Sequence, residues 1–63
     1  MNLKMKSARV LKGLSQADLA KEIGVSRQTI ILIEQNKFNP SLSLCKAICK
    51  SLNKTLNELF WED

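Results

Sequence analysis

Only two residues, Gly24 and Val25, separate the end of one helical pattern from the start of the next. Upstream, Leu19, Ala20 and Ile23 recur at helical spacing. Downstream, Ser26 opens another run with a residue type that caps helix N-termini. Gly24 tolerates the positive φ of a helix-closing position. A connection this tight leaves little room for an antiparallel hairpin, so the two helices must cross steeply. The crossing needs a small residue where the helices come close, which Ala20 supplies. It also needs apolar contacts to hold the angle, which Leu19, Val25, Ile30 and Ile33 supply. Six positions within one short stretch meet six physical requirements, which a random chain rarely does.

The rest of the chain breaks into similar short pieces. The spacing predicts a first helix from about Leu3 to Lys12, closed by Gly13, with Met5, Ala8 and Leu11 facing inward and Val10 fitting that stripe poorly. Ser15 starts the second helix, with Asp18 placed for a near capping box. The third runs from the Ser26 cap to about Gln35, and Asn36 closes it in the left-handed conformation. A loop, "NKFNP", follows, with Phe38 as its apolar anchor and Pro40 barring helix. Ser41 caps a fourth helix whose apolar set is Leu42, Leu44, Cys45, Ile48, Cys49 and Leu52, and Asn53 closes it. "TLNE", from Thr55 to Glu58, is a full capping box for a short fifth helix.

The 63 residues form one small domain, residues 1–63, with the two steeply crossed helices at about 16–35. A chain this short buries only about 60% of its unfolded surface. Small folds of this kind add disulfides, metal or a second subunit. The sequence has no His, and two cysteines alone do not make a zinc site. Cys45 and Cys49 lie four apart on one helix, diverge from disulfide geometry, and read as core cysteines. A second subunit is left as the source of extra burial. Net charge is +4, and the excess is unevenly placed. Through Pro40, Lys4, Lys6, Arg9, Lys12, Lys21, Arg27 and Lys37 outnumber Asp18, Glu22 and Glu34; from Ser41 the signs balance. A polyanion partner for the first two thirds is indicated. Lys46, Lys50 and Lys54 lie outside that region and read as a solvated surface.

The stretch "QADLAKEIGVSRQTIILIE", with "NKFNPSL" after it, resembles the Xre family of lambda-repressor-like helix-turn-helix domains, over about Met5 to Phe60. It is similar in particular to the short stand-alone dimeric regulators of that family. The resemblance implies an all-α, compact five-helix DNA-binding domain, with a short terminal β-ribbon as an optional addition. It implies a homodimer on double-stranded operator DNA, acting as a regulator, in the first instance a repressor. Arg27 and Gln28 match base-reading positions, and their chemistry agrees: Arg grips guanine O6 and N7, Gln grips adenine N6 and N7. Gln16, at the start of the second helix, matches a phosphate-binding position. Thr29, Gln35, Lys37, Asn39 and Ser41 are placed at phosphates as well, Thr29 with crowding against the second helix as its other reading. Arg9 and Glu34 match a buried structural ion pair rather than DNA contacts.

Four consecutive aliphatics, Ile30 to Ile33, are more than a one-sided helix needs. At about 100° per residue, Ile30 and Ile33 share the core face, while Ile31 and Leu32 flank Gln28 on the other side. Leu32 matches a family position that often reads a base. An apolar side chain there contacts a thymine methyl but does not hydrogen-bond, so a thymine is expected near the base read by Gln28. Simple exposure of Ile31 and Leu32 is the other reading.

Leu56, Leu59, Phe60 and Trp61 concentrate apolar surface near the C-terminus and are candidates for the dimer interface, or else close the monomer core. In the small relatives the N-terminal residues pair with the tail, which places residues 1–3 beside it. No cofactor, metal or membrane span is indicated. The N-terminus lacks the apolar core of a signal peptide, and the chain reads as cytoplasmic with reduced thiols. No nucleophile–base pair is available without His, so enzymatic activity is not expected. Two other readings use the same residues: an antitoxin that also binds a toxin protein, and an interaction adaptor whose helix-turn-helix binds no DNA. A regulatory protein partner remains open in each.

Overall fold

Helix boundaries in the computed structural model, which describes residues 1–61, fall where side chains satisfy the free backbone groups of helix ends. The order is α1 (Leu3–Leu11), α2 (Gln16–Ile23), α3 (Arg27–Glu34), α4 (Leu42–Leu52) and α5 (Leu56–Phe60). Asn2 caps α1 by accepting from the Met5 N–H. Ser15 with Asp18, and Thr55 with Glu58, form reciprocal capping boxes on α2 and α5. Ser26 and Ser41 cap α3 and α4 through the Thr29 and Leu44 N–H groups. Gly24, at φ 78°, closes α2, and Asn53, at φ 56°, closes α4. Gly13 and Asn36 also take positive φ just past α1 and α3.

The α2–α3 pair is the tightest unit of the fold; α4 packs on α2, α5 on α1 and α4, and α1 on α3. The core holds Met5, Ala8, Leu19, Ala20, Ile30, Ile33, Ile48, Cys49, Leu52 and Leu59. Leu14, Ile23, Val25, Leu44, Leu56 and Phe60 pack against it from the side. Both cysteines are free, with Cys45 half-buried.

Three expectations are corrected. Leu11 does not face the core: it is 85% exposed, and Arg9 is buried instead. Each i, i+3 step falls about 60° short of a full turn, so Leu11, two such steps from Met5, has rotated about 120° off the core. Leu42, at the open N-terminal end of α4, is exposed too, and Phe38 anchors its loop only partially. The optional terminal ribbon is not formed, as there is no strand among the described residues. The N-terminus meets the tail by side-chain bonds instead. Asn2 Nδ2 donates to the Leu59 carbonyl at 2.9 Å, and Lys4 Nζ to the Trp61 carbonyl at 3.1 Å.

Candidate nucleic-acid interface

The first turn of α3 presents Arg27 and Gln28 to solvent, both exposed. What makes them a defined surface is the rigidity behind them. Ser26 Oγ accepts from the Thr29 N–H at 3.2 Å and shares a 2.9 Å hydrogen bond with Thr29 Oγ1. The preceding turn is closed by the Gly24 and Val25 N–H groups, which both donate to the Ala20 carbonyl. Ile30 and Ile33 are fully buried beneath. Ile31 and Leu32 are half-buried, neither core nor free surface, and border the Gln28 side of the helix.

Behind α3 lies a charged hub. Arg9 Nε donates to Glu34 Oε2 at 2.7 Å and Arg9 Nη2 to Glu34 Oε1 at 3.3 Å. The two side chains are only 8% and 3% exposed. Arg9 Nη1 donates in addition to the Leu14 carbonyl at 2.8 Å, so the guanidinium also holds the entry to α2. Gln16 Nε2 reaches Glu34 Oε1 at 3.2 Å. The Glu34 carbonyl accepts from the Asn2 N–H. No buried side-chain polar atom among the described residues lacks a partner. The Gln16–Glu34 bond was not expected from the sequence, where the two residues stand eighteen positions apart with nothing local to link them. It fixes the amide of Gln16 at the N-terminus of α2, where backbone N–H groups and the helix dipole favour an anion.

The remaining residues expected at phosphate are found in different states. Thr29 is half-buried with its hydroxyl engaged by Ser26. Gln35, Lys37 and Asn39 are exposed in and after the last turn of α3. Ser41 is exposed, but its hydroxyl caps α4 by accepting from Leu44 N–H at 3.1 Å. Asn39 also lines a cleft with Asn2, Phe38, Phe60 and Trp61, on the side where the start of α1 meets the end of α5. Of the four residues placed at a subunit contact, Leu59 is corrected: it is 3% exposed and fills the monomer core. Leu56 and Phe60 are half-buried against that core, and Trp61 stands exposed beside the cleft.

Ionisation is perturbed mainly at caps and thiols. The Ser15 backbone N–H, then its hydroxyl, hold the Asp18 carboxyl below its ordinary value, with Lys21 adding to the effect. Thr55 does the same for Glu58, assisted by Lys54. Burial pushes the Cys45 thiol up, and burial with the nearby Cys45 and Glu58 pushes Cys49 up. No three metal-ligating side chains cluster among the described residues. No helix among them is long and apolar enough to cross a membrane.

Two capped helices at a glycine-led two-residue turn, with polar side chains displayed on the second, define a helix-turn-helix domain. The chain belongs to the Xre-like helix-turn-helix family of transcriptional regulators, whose profile matches residues 5–59. It is 48% identical to an uncharacterized HTH-type transcriptional regulator of Methanocaldococcus jannaschii, over 100% of this chain and 97% of that one. It is 39% identical to one of Bacillus subtilis, over 97% and 92% of the two chains. Among solved structures, a hypothetical transcription factor from Neisseria superposes with a TM-score of 0.80 at 30% identity. That match covers 86% of this chain and 61% of the Neisseria chain.

Proposed function

We propose that the chain is a homodimeric transcriptional regulator that binds double-stranded DNA sequence-specifically, with α3 in the major groove. One observation carries the reading: Arg27 and Gln28 are both exposed on the first turn of a helix whose opposite face, Ile30 and Ile33, is locked in the core. In helix-turn-helix proteins the N-terminal residues of the second helix contact base edges. Arg27 is assigned to a guanine and Gln28 to an adenine. Leu32 and Ile31 lie against a thymine methyl. Gln16, held by Glu34, is the strongest of the phosphate contacts, because its amide is already oriented at a helix N-terminus. Thr29, Gln35, Lys37, Asn39 and Ser41 contribute weaker ones, Thr29 with a hydroxyl already shared with Ser26 and Ser41 with one that caps α4.

The dimer contact is assigned to the cleft side, through Trp61 and Phe60, with Leu56, one helical turn before Phe60, as a further candidate. The sign of regulation is proposed to be repression.

Selection of bound sites from random duplex DNA tests the whole reading. The expected result is two symmetric half-sites with centres about 34 Å apart. Each should hold a guanine, an adenine and an adjacent thymine, and Leu32→Gln should relax the thymine position alone. Recovery of no preferred sequence would leave the adaptor reading standing. Sedimentation as a monomer at high micromolar concentration would remove the homodimer.

A further inference from the structure

The outward side of α1 carries apolar residues that neither the core nor the DNA-facing helix uses. Leu3, Val10 and Leu11 are 62%, 57% and 85% exposed. With Ser7 between them, they span about 100° of the helix circumference, roughly opposite Met5 and Arg9, which face the core and α3. An isolated exposed leucine is ordinary. Three on one stripe are a patch, and patches of this kind mark contact surfaces. The stripe does not stand on a flat wall. A groove runs beside it between α1 and α5, floored by Ala8 and Leu59 and walled by Leu11 and Asn57.

Charge narrows the occupant. Lys4 and Lys6 flank the stripe on its two sides, and Lys54 stands at the rim of the groove. Among the described residues the acid at this rim is Glu58, which faces Lys54 at 3.8 Å in an exposed pair. A second copy docking here would bring two sets of three lysines together, so self-association on this face is disfavoured. Nucleic acid offers nothing to match Leu3, Val10 and Leu11. A groove between two helices, apolar within and cationic at the rim, fits a third helix with the reverse pattern.

We propose that this face of α1, with the α1–α5 groove, docks an acidic amphipathic helix of a partner protein. The face points away from α3, so the partner sits on the chain without covering Arg27 and Gln28. The proposal does not depend on the DNA reading.

The test is titration of the full chain, followed by amide chemical shifts and fluorescence anisotropy, with a synthetic helix carrying leucines on one face and glutamates on its flanks. A scrambled peptide of the same composition, the same helix with lysine for glutamate, and anionic lipid vesicles serve as comparisons. The expected result is binding of the acidic helix alone, with shifts confined to α1 and α5. Leu11→Gln, at a side chain that packs on almost nothing, should keep its circular dichroism and weaken binding about tenfold. Lys6→Gln should weaken it less, and Arg27→Ala not at all. Equal binding of the scrambled peptide, shifts centred on α3, or no binding overturns the proposal. Preference for the basic helix or for vesicles also overturns it. So does concentration-dependent self-association that Leu11→Gln abolishes, which would assign the face to a second copy.

Discussion

Replacing Glu34 by Gln keeps the shape of the hub behind α3 and removes its negative charge. The Arg9 guanidinium then stays buried with one neutral amide oxygen and the Leu14 carbonyl as acceptors. Breaking a buried ion pair from one side costs about 3–5 kcal/mol, because the remaining charge is left uncompensated. The 2.8 Å bond to Leu14 survives, which argues for the lower end, about 3 kcal/mol. Against a stability of about 0.05–0.15 kcal/mol per residue, a chain this size has roughly 3–9 kcal/mol in total. Removing that one negative charge, with the guanidinium left in place, therefore forfeits a third or more of the fold's stability. At about 4–8 °C per kcal/mol, the midpoint should drop by roughly 12–24 °C. Urea denaturation followed by circular dichroism measures the loss, at one fixed protein concentration because association shifts apparent stability. The double variant Arg9→Met with Glu34→Leu replaces both charges by apolar groups of similar volume. It should lie within about 1 kcal/mol of the parent, since exchanging a buried pair for hydrophobic contacts is often neutral. The double variant also strips Gln16 of its acceptor, so on the DNA-binding reading its affinity for duplex should fall although the fold is restored. If Glu34→Gln costs under about 1 kcal/mol, or if the single losses simply add in the double variant, the pair is not the desolvated unit described here.

Gly24→Ala meets no clash, since nothing lies within 4 Å of the added carbon, yet its φ of 78° is left-handed. It should cost about 1–2 kcal/mol in urea denaturation, and Gly24→Asn less, because Asn is tolerated in that conformation. The lowered pKa values of Asp18 and Glu58 mean that their caps stabilise the fold above the ordinary carboxylate range. That contribution is lost as pH falls through the depressed values. Asp18→Asn should therefore lower the urea midpoint at neutral pH and leave it nearly unchanged at a pH low enough to protonate Asp18 in the folded as well as the unfolded chain. The raised thiol pKa values of Cys45 and Cys49 predict slow alkylation at neutral pH, slowest at buried Cys49, with rates recovering in urea.

The helices were legible because their signals are local. Ser15 with Asp18, Thr55 with Glu58, Gly24, Asn36 and Asn53 each act on backbone groups within a turn, so spacing alone places them. The split of the four aliphatics was legible for the same reason: a helix turns a fixed angle per residue, and Ile30 and Ile33 are buried where Ile31 and Leu32 are not. The Arg9–Glu34 contact came from family resemblance and not from any periodicity. What failed was inference about ends and edges. Leu42 and Phe38 are apolar, and no pattern within their own segments says that nothing packs over them, whereas the step of about 100° per residue in α1 itself carries Leu11 off the core.

By itself, then, the sequence determined five helices, the N-caps of α2 to α5, the tight turn and the polar start of α3, because short-range hydrogen bonding and helical rotation are properties of the chain. Only the tertiary structure decided that Gln16 is tethered to Glu34, that Leu59 belongs to the core, and that Asn2 ties both ends to the same corner. It also left one side of α1 greasy and uncovered. These depend on which helices meet and at what angle, a sum of many weak contacts across the whole molecule that no window along the chain contains.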